Sequence, residues 1–117
     1  MRAAEVRAFC LGFNDAVEDF PFGDEVSVFK VAGKVFALGR LDRAPLWINL
    51  KCEPENALRL RAEHPEIVPG YHMNKRHWNT VTVGALPPRL VRELIEDSYD
   101  LVVAGLPRAV RLRLDRP

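Results

Sequence analysis

At 117 residues, with 48% hydrophobic and 28% charged side chains, the chain has the size and balance of one folded domain, residues 1–117, around a single core. That composition excludes a disordered tract and any apolar run long enough to span a bilayer, so no membrane partner is expected. A net charge of +1 argues against indiscriminate coating of nucleic acid, which leaves the distribution of charge to carry any electrostatic function.

Residues 3 to 11 predict a short helix with Val6, Phe9 and Cys10 on one side and Gly12 placed to end it. Early charges among Met1 to Arg7, and no apolar stretch, show no signal peptide, so cytoplasmic residence is the expectation. Gly12 to Phe29 carries Asp15, Glu18, Asp19, Asp24 and Glu25 without a base. The interleaved Phe20, Pro21 and Phe22 read as a loop packed on a sheet rather than a cation site. Val26 to Val31 and Val35 to Arg40 form a predicted hairpin around Ala32-Gly33-Lys34. After a turn from Leu41 to Pro45, a third strand runs from Leu46 to Cys52, with Leu46, Ile48 and Leu50 facing one way and Trp47, Asn49 and Lys51 the other. An antiparallel meander is the simplest arrangement.

Pro54 suits the first turn of a helix from Glu55 to Glu63, with Ala57, Leu58 and Arg61 close on one face, and Pro65 stops it. Ile67 to Met73 and Trp78 to Val83 read as strands around the turn Asn74-Lys75-Arg76-His77. The longest helix runs from Pro87-Pro88 to Ala104, with Leu90, Val91, Leu94, Ile95, Ser98, Leu101 and Val102 at helical spacing. Pro107 to Pro117 alternates Val110, Leu112 and Leu114 with Arg111 and Arg113, the pattern of an edge strand or an ordered arm. The fold class is α+β, an antiparallel sheet with helices packed on one face.

From Ile67 to Arg92 there is no acidic residue, and the run Pro69 to Val81 crowds cations, imidazoles and aromatics onto a turn. Lys75, Arg76 and His77 at that tip suit phosphate contacts, which need charge and reach more than a shaped pocket. Lys34, aided by Lys30 and Arg40, would make a second wing. His72 and Trp78 complete the candidate nucleic-acid contacts. Tyr71 and Trp78 flank the turn and either stack on bases or fill the core, and Trp47 is open to the same two readings. The arginines Arg108, Arg111, Arg113 and Arg116 add a basic tail.

Catalytic and metal signals are missing. His64, His72 and His77 match no zinc spacing, and Cys10 and Cys52 make neither a disulfide framework nor a metal pair, so both thiols read as small core side chains. Ser98-Tyr99 has no base spaced to activate it and reads as a packing serine beside a tyrosine tied to another segment. No enzyme activity, cofactor or metal is expected. The rival to DNA as partner is a protein, including the acidic loop of a second copy, and a third reading is a ligand cleft near His72 or His77.

Several blocks, in order, resemble a known family. They are Phe22-Gly23, Val28-Phe29-Lys30-Val31, Gly33-Lys34-Val35-Phe36-Ala37-Leu38, Asn49-Leu50-Lys51-Cys52, Pro54-Glu55, Pro69 to Trp78, and Ser98-Tyr99-Asp100-Leu101-Val102. On these the chain resembles the MmcQ/YjbR family of small bacterial proteins. The resemblance implies a frataxin-like (CyaY-like) fold and a double-wing DNA-binding role. Frataxins bind iron through an acidic first helix, but residues 3 to 11 here hold only Glu5, with Arg2 and Arg7 nearby, so the resemblance does not extend to iron.

Overall fold

The computed structural model describes residues 1–114. In chain order the elements are α1 (Ala3–Leu11), β1 (Ala16–Asp19), β2 (Ser27–Val31), β3 (Lys34–Gly39), β4 (Trp47–Lys51), α2 (Pro54–Glu63), β5 (Ile67–Pro69), β6 (Trp78–Thr82), a 3-10 turn (Val83–Ala85), α3 (Pro88–Ala104) and α4 (Arg108–Leu114). One antiparallel sheet has the order β1-β2-β3-β4-β6-β5. β2, β3 and β4 form the expected meander, and β1 extends it at the edge. β6 then takes the place beside β4, and β5 lies outside it.

Three elements differ from the sequence expectation. The acidic segment after α1 contains a strand, β1, paired with β2 from Ala16↔Val31 to Asp19↔Val28. Its charges are met by neighbours: Arg7 lies 3.1 Å from Glu18 and Lys30 lies 3.0 Å from Asp19. Pairing of those carboxylates is what lets so short and acidic a segment join a sheet edge. β5 stops at Pro69, because proline has no amide hydrogen to continue a ladder, so residues 70 to 77 form a long loop. The closing segment is a helix: Leu114 is buried, Leu112 is exposed, and Arg113 reaches Asp15 at 3.1 Å. Arg116 lies outside the described residues. Within α2 it is Ala57 and Leu60, three positions apart, that are buried, whereas Leu58 is 64% exposed.

Ala32 and Gly33 both have positive φ, 49° and 78°, as a two-residue hairpin turn of matching twist demands. Lys34 is therefore the first residue of β3 rather than a turn residue. Between β2 and β3 the register steps from Phe29↔Ala37 to Lys30↔Val35, leaving Phe36 as the extra residue of a β-bulge. The bulge lets Phe36 and Ala37, consecutive in sequence, both be buried in the core. It also disturbs pairing with β4, where Ser98 of α3 intervenes: its hydroxyl donates to the Phe36 carbonyl at 2.6 Å and accepts the Lys51 amide at 2.8 Å.

α3 crosses β2, β3 and β4, α1 lies by β1, and α2 lies by β5. Phe13 stacks on Tyr99 with centroids 4.5 Å apart, and Phe36 meets Tyr99 edge-on at 5.3 Å. The Tyr99 hydroxyl donates to the Asn14 carbonyl at 2.8 Å. Val31, Ile48, Leu50, Ile67 and Val81 also face this side. Among the described residues the opposite face of the sheet carries no helix. No helix among the described residues is long and apolar enough to cross a membrane.

Candidate functional site

The register fixes where the two expected wings lie. β3 begins, β4 ends and β6 begins at one end of the sheet, so the Ala32-Gly33 turn and the 70 to 77 loop emerge together. The two hairpins are centred three strand positions apart, about 14 Å at usual strand spacing.

The long loop is held by its own polar groups. The Gly70 amide donates to the Trp78 carbonyl at 2.8 Å, and a Cβ at Gly70 would lie only 2.8 Å from Trp78 Cβ, so the approach requires glycine. His72 adopts a left-handed φ of 58°. The Asn74 side chain accepts the Arg76 amide at 2.9 Å and the His77 amide at 3.3 Å. Lys75 Nζ donates to the Gly70 carbonyl at 3.0 Å, and Arg61 of α2 donates both to the Lys75 carbonyl and, at 2.7 Å, to Asn79 Oδ1. Asn79 Nδ2 is buried without a hydrogen-bond partner in the structure.

This framework sorts the candidate residues. Arg76 is exposed, beside Glu53, Glu55 and Arg59, and Lys34 is exposed on the other turn. Lys75 doubles as a strut of the loop. His77 is half-buried and, with Lys51, Cys52, Glu53, Asn74, Trp78 and Leu101, lines an open cleft of about 320 Å³. Lys30 is not brought into the wing, because it pairs with Asp19, whose carboxyl its hydrogen bond holds below the usual range. Arg40 follows β3 at the opposite end of the sheet and is paired with Glu25 at 3.3 Å and Asp42 at 3.1 Å. Between the two turns a groove is lined by Glu53, Asp97 and Asp100 with Cys52, Asn56 and Leu101. Burial, reinforced by Asp100, Glu96 and Glu93, pushes the Asp97 carboxyl above its ordinary value.

The same loop folds onto the helix-free face of the sheet. The Tyr71 amide donates to Thr80 Oγ1 at 2.9 Å, Asn49 Nδ2 donates to the Tyr71 carbonyl at 3.2 Å, and the Thr80 hydroxyl donates to Asn49 Oδ1. Asn49 and Thr80, opposite one another in the ladder, are thereby buried and satisfied. Tyr71 stays 58% exposed as a residue, with its ring edge-on to Trp47 at 6.3 Å and 4.1 Å from the His72 ring. Of the two readings of Tyr71, the structure places it outside the core, whereas Trp47 and Trp78 are half-buried. Sequence reasoning missed the Asn49–Thr80 tie. Its signal was an outward-facing asparagine in an otherwise apolar strand.

Neither cysteine is poised for chemistry. Burial, aided by Glu18, pushes the Cys10 thiol up to about 12, and burial also raises Cys52. Among the described residues no group of three or more His, Cys, Asp or Glu side chains is placed to hold a metal ion.

Comparison with known proteins bears on these blocks as a set, since the YjbR family matches residues 11–101. The chain belongs to the YjbR family. It is 45% identical over 96 residues to the uncharacterised protein YbdF of Escherichia coli O157:H7, covering 81% of this chain and 79% of that one. To the uncharacterised protein YjbR of Escherichia coli strain K12 it is 31% identical over 113 residues, 95% of each chain. The crystal structure of a Deinococcus radiodurans protein with a DUF419 domain superposes with a TM-score of 0.91 at 41% identity, over 99% of this chain and 89% of that one. A Pseudomonas syringae protein superposes with a TM-score of 0.74 at 31% identity, over 86% of this chain and 98% of that one. The stretch matched to the YjbR family contains both turns, the acidic groove and every strand, but not α4.

Proposed function

We propose that this YjbR-family protein is a non-enzymatic cytoplasmic DNA-binding protein that contacts the phosphate backbone from two turns, with Arg76 and Lys34 as the outer contacts and Lys75 and His77 behind them. The observation that carries this reading is the emergence of two exposed cations at one end of the sheet, neither held in an ion pair among the described residues. Their hairpins' separation of about 14 Å is commensurate with a major groove about 12 Å wide, whose phosphates flank it on both sides.

The acids Glu53, Asp97 and Asp100 between the turns oppose a closer fit. They restrict the contact to roughly two or three phosphates, so binding is weak and falls with salt at a log–log slope of about −2 to −3. The test is fluorescence anisotropy with a random-sequence duplex over a salt series, comparing wild type with Lys34→Glu/Arg76→Glu. Binding that weakens and loses most of its salt slope in the variant supports the proposal. Absence of binding at low salt overturns it, and if the same charge reversal then alters oligomeric state, the basic loop serves a protein partner instead.

A further inference from the structure

We propose that the helix-free face of the sheet is a platform for single-stranded nucleic acid, with bases stacked on Tyr71 and Trp78 and phosphates drawn to Lys51. This rests on the nucleic-acid reading above and adds a strand state and a second surface to it.

Three observations point to that occupant. First, Tyr71 is an exposed ring on a fixed backbone: its amide and carbonyl are both bonded to side chains of the sheet, so stacking a base on it orders little that is not already ordered. Second, two aromatic positions and a cation share this face. Lys51 stands directly opposite Trp78 in the ladder, while the Tyr71 ring lies against Trp47, four residues from Lys51 and about 14 Å away along the strand. This gives two stacking stations with a positive charge beside one of them. Third, the strands place a single carboxylate on this face, Asp19 on the edge strand, and Lys30 neutralises it at 3.0 Å. A polyanion meets no uncompensated acid on these strands.

The occupant follows from the chemistry. An apolar protein partner would have to desolvate Lys51, and a duplex keeps its base faces within its own stack. Only a strand with splayed bases satisfies rings and ammonium together.

The experiment compares fluorescein-labelled dT12, U12 and a 12-base-pair duplex by anisotropy at low salt, using wild type, Tyr71→Ala, Tyr71→Phe and Lys34→Glu/Arg76→Glu. The expected result is tighter binding of single strand than duplex, with Tyr71→Ala weakening single-strand binding about tenfold or more, Tyr71→Phe restoring it, and duplex binding unchanged in both. A further comparison of U12 with dU12, which differ only in the 2′-hydroxyl, identifies the sugar of the natural strand. Retention of full single-strand affinity by Tyr71→Ala overturns the platform while leaving duplex contact by the turns standing. Loss of duplex binding in the turn variant alone, with dT12 bound undiminished, separates the two surfaces in the platform's favour. Binding of neither strand state by wild type overturns both.

Discussion

Ser98 and Phe36, 62 positions apart in the chain, are joined by a 2.6 Å hydrogen bond from the serine hydroxyl to the phenylalanine carbonyl. The same oxygen accepts the Lys51 amide, so one buried hydroxyl serves two backbone groups that the bulge leaves short of partners. Ser98→Ala removes both bonds and leaves the groups inside the protein. A loss of about 2 kcal/mol is expected, read as a lower urea midpoint with an unchanged m value.

Lys75 and Arg76 are adjacent cations with different structural roles. Lys75→Ala removes the tie to the Gly70 carbonyl and is expected to raise amide exchange across residues 70 to 77. Arg76→Ala touches no such tie and should leave exchange at its wild-type level while weakening DNA binding. Equal exchange in the two variants would remove the distinction.

The carboxyls of Asp97 and Asp19 should give opposite pH signatures. Asp97 is raised above 3.8, chiefly by desolvation and then by its acidic neighbours, so its charged form is disfavoured in the fold. Asp97→Asn should raise the Tm at neutral pH, with the gain fading as pH falls through the raised pKa and the wild-type carboxyl becomes neutral too. Asp19 is lowered, chiefly by its hydrogen bond from Lys30 and then by the Phe20 amide. Asp19→Asn should lower the Tm at neutral pH, with a deficit that begins to shrink below the ordinary carboxylate pKa and is gone once pH has fallen through the depressed one. Thermal melts from about pH 3 to about pH 7 check both signs.

The two thiols should be silent in the native protein. Cys10 and Cys52 are both buried, and Cys10 would ionise only at about 12. A chromogenic disulfide reagent is expected to react very slowly at neutral pH and to reach both thiols once urea unfolds the chain. Fast native reaction at either position would mean that its cover opens locally.

Much of the architecture was legible in the residues because α1, β4 and α3 carry apolar residues at helical or alternating spacing, while β2 and β3 are marked by Val- and Phe-rich runs around the Ala32-Gly33 turn. α3 in particular spans Leu90 to Val102 at unbroken helical spacing. β1 escaped notice because four residues, two of them acidic, become a strand only through ion pairs to distant partners. α4 was misread because Val110, Leu112 and Leu114 alternate as a strand would, although Pro107 before them equally suits a helix start. In the site, the basic loop was visible from composition. The dispersal of Lys30 and Arg40 into ion pairs was less so, since Asp19 and Glu25 meet them only after the strands have paired, although Asp42 is local to Arg40.

α3 follows all six strands in the chain, and this sets the order in which the domain can be completed. Tyr99 reaches back 85 residues to Asn14, and Ser98 reaches back to the bulge. A chain emerging from the ribosome therefore presents six strands with much of their apolar side exposed until α3 has left the exit tunnel. Over that interval the sheet is open to pairing with other chains, and the chain most needs protection between completion of the strands and the docking of α3.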